Sequence, residues 1–167
     1  MRGVRFNLVS PVGNDASLIP SIAPWLRKLG WHIQWYAKAD QLQQILQIHA
    51  KNGLPCVLDH MGGITVDMKP SDPSWAVLRQ LAVMGAWVKL SGWYRLGDLS
   101  KDFVPSGPNI LQMIDLFGEH SIWGSDSPNT SFDRADMPSY ASLIKAVASV
   151  ANIDMNAQLK NAKIFYR

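Results

Sequence analysis

Five polar side chains, Arg5, Tyr36, His60, Arg95 and Asp126, fall toward the ends of five separate apolar runs. They comprise two cations, a phenol, an imidazole and a carboxylate. Guanidinium groups grip carboxylates through a two-pronged fork and stay charged at any ordinary pH. An imidazole can stabilise a developing oxyanion or pass a proton near neutrality. A carboxylate in contact with water can act as a general base. Brought into one space, this set would hold an anionic substrate and move a proton.

Whether they share a space depends on the elements beneath them. The runs are Gly3–Val9, Trp31–Ala37, Leu54–His60, Ala86–Gly92 and His120–Asp126, each rich in β-branched or aromatic residues and bounded by Gly, Pro or polar residues. Segments with helical spacing lie between and after them. One carries Leu42, Ile45, Leu46 and His49 on a single face and stops at Gly53. A second is capped by Asp72 with Pro73 at the first helical position, and stops at Gly85. A third runs from Pro108 to Gly118, and two more close the chain. Strand starts therefore recur at the period of a βα unit, which predicts a mostly parallel sheet with packed helices. In such an array the C-terminal strand ends share one face, and ligands bind there. Asn7, Asp59 and Ser91 fall at the same ends.

No single residue carries the functional reading. His60 alone is as readily a structural histidine, Arg5 a strand-end salt-bridge partner, and Tyr36 a half-buried aromatic. Arg95 in isolation is a solvated loop arginine. Asp126 before Ser127-Pro128 suits an Asx turn. Five polar residues meeting five strand ends together point to a site. His32, His49 and His120, at strand starts or on helices, read as structural or surface residues. In the stretch Ser121–Asn129, Gly124 and Ser125 are expected to turn the chain tightly so that Asp126 faces the pocket, with Pro128 stiffening the exit.

The 167 residues are 47% apolar and 17% charged, with a formal charge of +3, which predicts one globular domain over residues 1–167. Lysines and arginines are scattered, so no nucleic-acid track is expected. The single cysteine, Cys56, excludes an internal disulfide and a paired-cysteine metal site, and fits a reducing, cytoplasmic setting. No signal peptide and no membrane-spanning run are read.

The strings Gly3–Asn7, "QWYA", "VLDHMGG", "VKLSGWYR" and "IWGSDSPN", in that order and spacing, together with the closing "NAKIFYR", resemble the amidohydrolase superfamily. The likeness is to its lactonase-like branch, typified by 2-pyrone-4,6-dicarboxylate lactonase. The resemblance implies a (β/α)₈ barrel, of which this chain would supply strands four to eight: a partial barrel of about five parallel strands. It implies Asp126 as the general base that activates water. His60 would polarise the scissile carbonyl or help to bind a metal, and Arg5, Arg95 and Tyr36 would hold a small carboxylated substrate. The lactonase reading needs no cofactor. An alternative, a metal-dependent amidohydrolase or decarboxylase, would make His60 and Asp126 ligands of zinc or manganese.

The chain also departs from that pattern. It has no His-x-His, which the family carries on its first strand. Gly63 stands where close lactonase relatives have Arg, and Asn129 where the family usually has His. The expectation is a truncated, poorly active piece with open edges near Arg5 and Trp123 and an inner sheet face exposing apolar side chains. Its partner would be a second copy or a separate N-terminal half; a non-catalytic open-sheet interaction module is the remaining reading.

Overall fold

The computed structural model describes residues 2–10, 12, 15–98, 100, 103–129, 132–133, 135–151 and 153–167. Five strands, β1 (Gly3–Asn7), β2 (His32–Tyr36), β3 (Cys56–Leu58), β4 (Trp87–Leu90) and β5 (Ser121–Trp123), form one sheet in the order of the chain. All four pairings are parallel, with Asn7 beside Tyr36, Trp35 beside Leu58, Leu58 beside Val88 and Leu90 beside Trp123. Among the described residues six α-helices accompany them: α1 (Ile19–Leu29), α2 (Leu42–Asn52), α3 (Pro73–Val83), α4 (Gly107–Phe117), α5 (Tyr140–Ala151) and α6 (Met155–Phe165). This is an α/β arrangement of successive parallel neighbours, the wall of a partial (β/α)₈ barrel.

Alternation along the strands separates two faces. Phe6, Ile33, Trp35, Cys56, Leu58, Val88 and Leu90 face outward into the core, joined by Leu42 and Ile45 of α2, Leu78 and Leu81 of α3, and Ile110 and Met113 of α4. The opposite face carries Arg5, Asn7, Gln34, Tyr36, Asp59 and Lys89, which line a cavity. This corrects the expected apolar inner face in part: Arg5, Gln34, Asp59 and Lys89 join in hydrogen bonds and ion pairs there, while Ile122 and Trp123 line the same cavity.

The end of the chain covers the other end of that face. Phe165 packs on His32 at 4.5 Å and on Trp87 at 4.9 Å between ring centres, so it lies against the starts of β2 and β4. Asn161 of α6 donates to the Ser121 carbonyl at 3.0 Å, fastening α6 to β5. Trp87 stacks on His120. His32 and His49 are buried, as their structural assignment requires.

Helix α1 has no counterpart in the sequence reading, which leaves residues 10–30 without an element. Pro20 and Pro24 hide it. Pro20 sits in the first turn, where a missing N–H costs nothing, but Pro24 lies inside and forfeits a bond. Burial of Ile19, Ala23 and Leu26 offsets that loss. Several strands also stop short of their apolar runs. β3 ends at Leu58 because His60 and Met61 turn left-handed, with φ of 48° and 51°. Beyond β5 the tight turn falls on Asp126 itself, at φ 55°, and not on Gly124 or Ser125. Asp is among the few non-glycine residues that enter this region readily.

Candidate active site

All five sequence-predicted residues line one cavity of about 660 Å³ at the C-terminal ends of the strands. Arg5 comes from β1, Tyr36 ends β2, His60 follows β3, Arg95 lies in the turn after β4, and Asp126 follows β5. The geometry ties them into two linked clusters.

The first cluster centres on Asp126. Its Oδ2 accepts from Arg95 Nε at 2.6 Å and from the Tyr94 hydroxyl at 2.5 Å. Its Oδ1 faces His60 Nε2 at 3.8 Å. The loop that presents it is closed by the Asn129 amide, which donates to the Asp126 carbonyl at 2.9 Å. Arg95 also lies over the Tyr36 and Tyr94 rings, at 5.9 and 5.1 Å from their centres. Burial works against the charge of Arg95, but the bond to Asp126 and its negative charge outweigh that, so the guanidinium is held charged even more firmly than usual. Burial, followed by the bond to Asp126, pushes the Tyr94 phenol well above its ordinary value, so it remains a donor.

His60 is 4% exposed and rests edge-on against Tyr36, with ring centres 4.8 Å apart. Its Nδ1 lies 3.2 Å from Ser91 Oγ. A proton on Nε2 would face the Asp126 oxygen and leave Nδ1 to accept from the Ser91 hydroxyl, the tautomer assigned from its neighbours. Burial lowers the His60 pKa. Asp126 and Asp59 oppose that, Arg95 and Arg5 reinforce it, and the net shift is downward. The imidazole is therefore neutral at pH 7. Room for the ring comes from Gly92, where a Cβ would stand 2.3 Å from His60 Nδ1.

The second cluster centres on Asp59, 3% exposed. Its Oδ2 accepts from Arg5 Nε and Gln34 Nε2, both at 2.8 Å, and its Oδ1 pairs with Lys89 Nζ at 3.1 Å. Burial alone would raise this carboxyl, but Lys89, Gln34 and Arg5 together bring it below the ordinary range. With Nε bonded to Asp59, Arg5 lines the cavity, and its guanidinium carbon stands 5.1 Å from the Tyr36 ring centre.

Lys89, Gln34 and Tyr94 were not singled out from the sequence. The signal was available. Gln34 and Lys89 lie two residues before Tyr36 and Ser91 on the same strand faces, and Tyr94 shares a single turn with Arg95.

Among the described residues, no three or more His, Cys, Asp or Glu side chains converge to hold an ion. His60 and Asp126 supply two donors, and the Arg95 cation on the same carboxylate opposes a metal there. The residues present do not fit a zinc or manganese site. No helix among them is long and apolar enough to cross a membrane.

Known proteins share the sequence pattern and fold of this chain. The chain is 28% identical over 156 residues to a 4-sulfomuconolactone hydrolase of Rhizobium radiobacter, covering 90% of this chain and 52% of that protein. It is 25% identical over 166 residues to a 2-pyrone-4,6-dicarboxylate hydrolase of Comamonas testosteroni, covering 90% and 53%. The chain thus spans about half the length of the curated relatives it matches. A solved Acinetobacter baumannii structure, named a "probable 2-pyrone-4,6-dicarboxylic acid hydrolase" with citric acid bound, superposes with a TM-score of 0.81 at 25% identity, covering 99% of this chain and 64% of that one. An Agrobacterium tumefaciens protein solved without ligand gives a TM-score of 0.82 at 19% identity, covering 97% and 59%. The sequence pattern of the amidohydrolase family matches residues 1–151, and this chain belongs to that family.

Proposed function

We propose that the cavity is the substrate site of a hydrolase that opens a lactone, or a similar ester-like bond, in a small carboxylated molecule. The observation that carries this reading is the setting of Asp126: one oxygen is tied down by Arg95 and Tyr94, and the other is turned toward a neutral His60. That is the setting a general base needs, held in orientation with one oxygen left to take a proton. The names of the relatives, lactone hydrolases, and the citric acid bound to one of them support a carboxylated lactone as the substrate class.

In this reading Arg5 and Arg95 hold substrate carboxylate, with the Tyr36 phenol beside them. Asp126 Oδ1 takes a proton from water as the water oxygen attacks the lactone carbonyl. The Nε2–H of His60 donates to the carbonyl oxygen as it becomes negative. The ring C–O bond then breaks, and the departing oxygen recovers the proton from Asp126. Water is consumed, a hydroxy acid or its keto form leaves, and the enzyme returns to its starting protonation. No step is routed through a metal.

A partner and a compartment belong to the same proposal. Among the described residues β1 and β5 each pair along one side only, so a second copy, or a segment supplying further strands, would complete the wall. Cys56 is buried and its thiol is pushed up to about 12 by burial, which fits an unreactive cysteine in a reducing, cytoplasmic compartment.

The test is lactone opening followed by proton release, with the wild-type chain beside Asp126→Asn. Slow turnover above background that disappears in Asp126→Asn is expected. Turnover that survives Asp126→Asn overturns the assignment of the base.

A further inference from the structure

A second chamber, of about 350 Å³, adjoins the first, and Tyr36 and Arg95 line both. The loops that follow β1, β2, β3 and β4 build it. Its walls are mainly apolar, with Val9, Ala37, Ala39, Met68 and Leu96, while Lys38 and Asp40 are exposed residues of the same lining. The mechanism above uses none of the apolar residues. Their position is fixed by Gly63. A Cβ there would lie 2.5 Å from the Ala37 carbonyl oxygen and 2.8 Å from Ala39 N, so the 37–39 backbone lies directly on Gly63. With φ at +79°, position 63 suits glycine in conformation as well as in space.

Resting on the proposed carboxylate site, we infer that this chamber is a specificity subsite for an apolar substituent of the substrate, an alkyl or aryl group a few atoms from a carboxylate held at Arg95. Arg95 is a wall of both spaces, so a molecule whose carboxylate meets the guanidinium can send a side group past Tyr36 without leaving the protein surface. The chamber is large enough for a short chain or a single ring, and its lining offers such a group little to hydrogen-bond. Fully burying a methylene tightens binding about fourfold, so a four-carbon chain enclosed to about half is expected to gain about tenfold.

Calorimetric titration of the full chain with succinate and with 2-butylsuccinate tests this. Butylsuccinate is expected to bind about tenfold tighter than succinate. Met68→Lys, which places an ammonium in the chamber, is expected to remove that gain while leaving succinate affinity within about twofold, and Met68→Leu is expected to keep it. Melting curves of both variants establish that they fold. Equal affinity for the two ligands, or a gain that Met68→Lys leaves intact, overturns the subsite while the carboxylate site stands. Failure of both ligands to bind overturns the carboxylate site, and the subsite with it.

Discussion

Arg95 Nε donates to Asp126 Oδ2 at 2.6 Å, joining the turn after β4 to the loop after β5. The same cation that would meet a substrate carboxylate therefore orients the acid that would activate water. This pair couples binding to chemistry. Replacing Arg95 with Lys, which lacks the fork, is expected to weaken carboxylate binding and to lower turnover together, each by at least about tenfold. Calorimetry and rate measurements on Arg95→Lys decide this. A fall in one without the other contradicts the shared role.

Gly92 makes room for the His60 ring, and this contact can be separated from backbone strain. Gly92 and Gly85 both have positive φ, +69° and +84°, but a Cβ at Gly85 meets nothing within 4 Å. Gly85→Ala is expected to cost about 1 kcal/mol, the left-handed penalty alone. Gly92→Ala should cost about 2–3 kcal/mol more as the ring is displaced, with ligand binding lost as well. Urea melts of the two variants, with equal losses as the contrary result, settle the point.

Asp59 neutralises two cations that come from different strands. Asp59→Asn leaves Arg5 and Lys89, 43% and 20% exposed, without their common charged partner, and because water screens both cations a loss of only about 1–2 kcal/mol is expected. Arg5 also loses the charged partner that orients its guanidinium, so carboxylate affinity should fall. Unchanged stability in Asp59→Asn would mean that the cluster is not a structural keystone.

Three buried histidines set the pH response of stability. Burial is the first cause lowering His32, His49 and His60 from the ordinary 6.5. Below pH 6.5 the unfolded chain takes up protons that the folded chain resists, so stability is full above that pH and falls as pH drops. The slope is at most about 1.4 kcal/mol per pH unit for each histidine. Urea midpoints at pH 7.5 and 5.5 should differ in that direction. A midpoint that is flat or rises toward acid contradicts it.

The strand-and-helix alternation was legible because local chemistry writes it: β-branched runs bounded by Gly and Pro, Asp72-Pro73 opening α3, Gly53 closing α2. The five strand-end residues were legible for the same reason, since parallel strands must bring their C-terminal ends together. What was not legible depends on register and neighbours. Asp59 meets Lys89 and Arg5 across thirty and fifty-four positions of sequence, and only strand pairing decides that. The polar part of the inner face follows from those pairings, and so a reading without them makes the face apolar throughout. Helix α1 was hidden by prolines whose cost is offset by burial, which local propensity does not record.

The central claim is that Arg5, Tyr36 and Arg95, from three different strand ends, serve one carboxylated molecule. The most direct measurement follows the side-chain Nε–H resonances of Arg5 and Arg95, and the ring resonances of Tyr36, during a citrate titration of the full chain. The account predicts that all three shift along one binding curve with a common midpoint. Shifts with separate midpoints, or signals that stay still at saturating citrate, would contradict it.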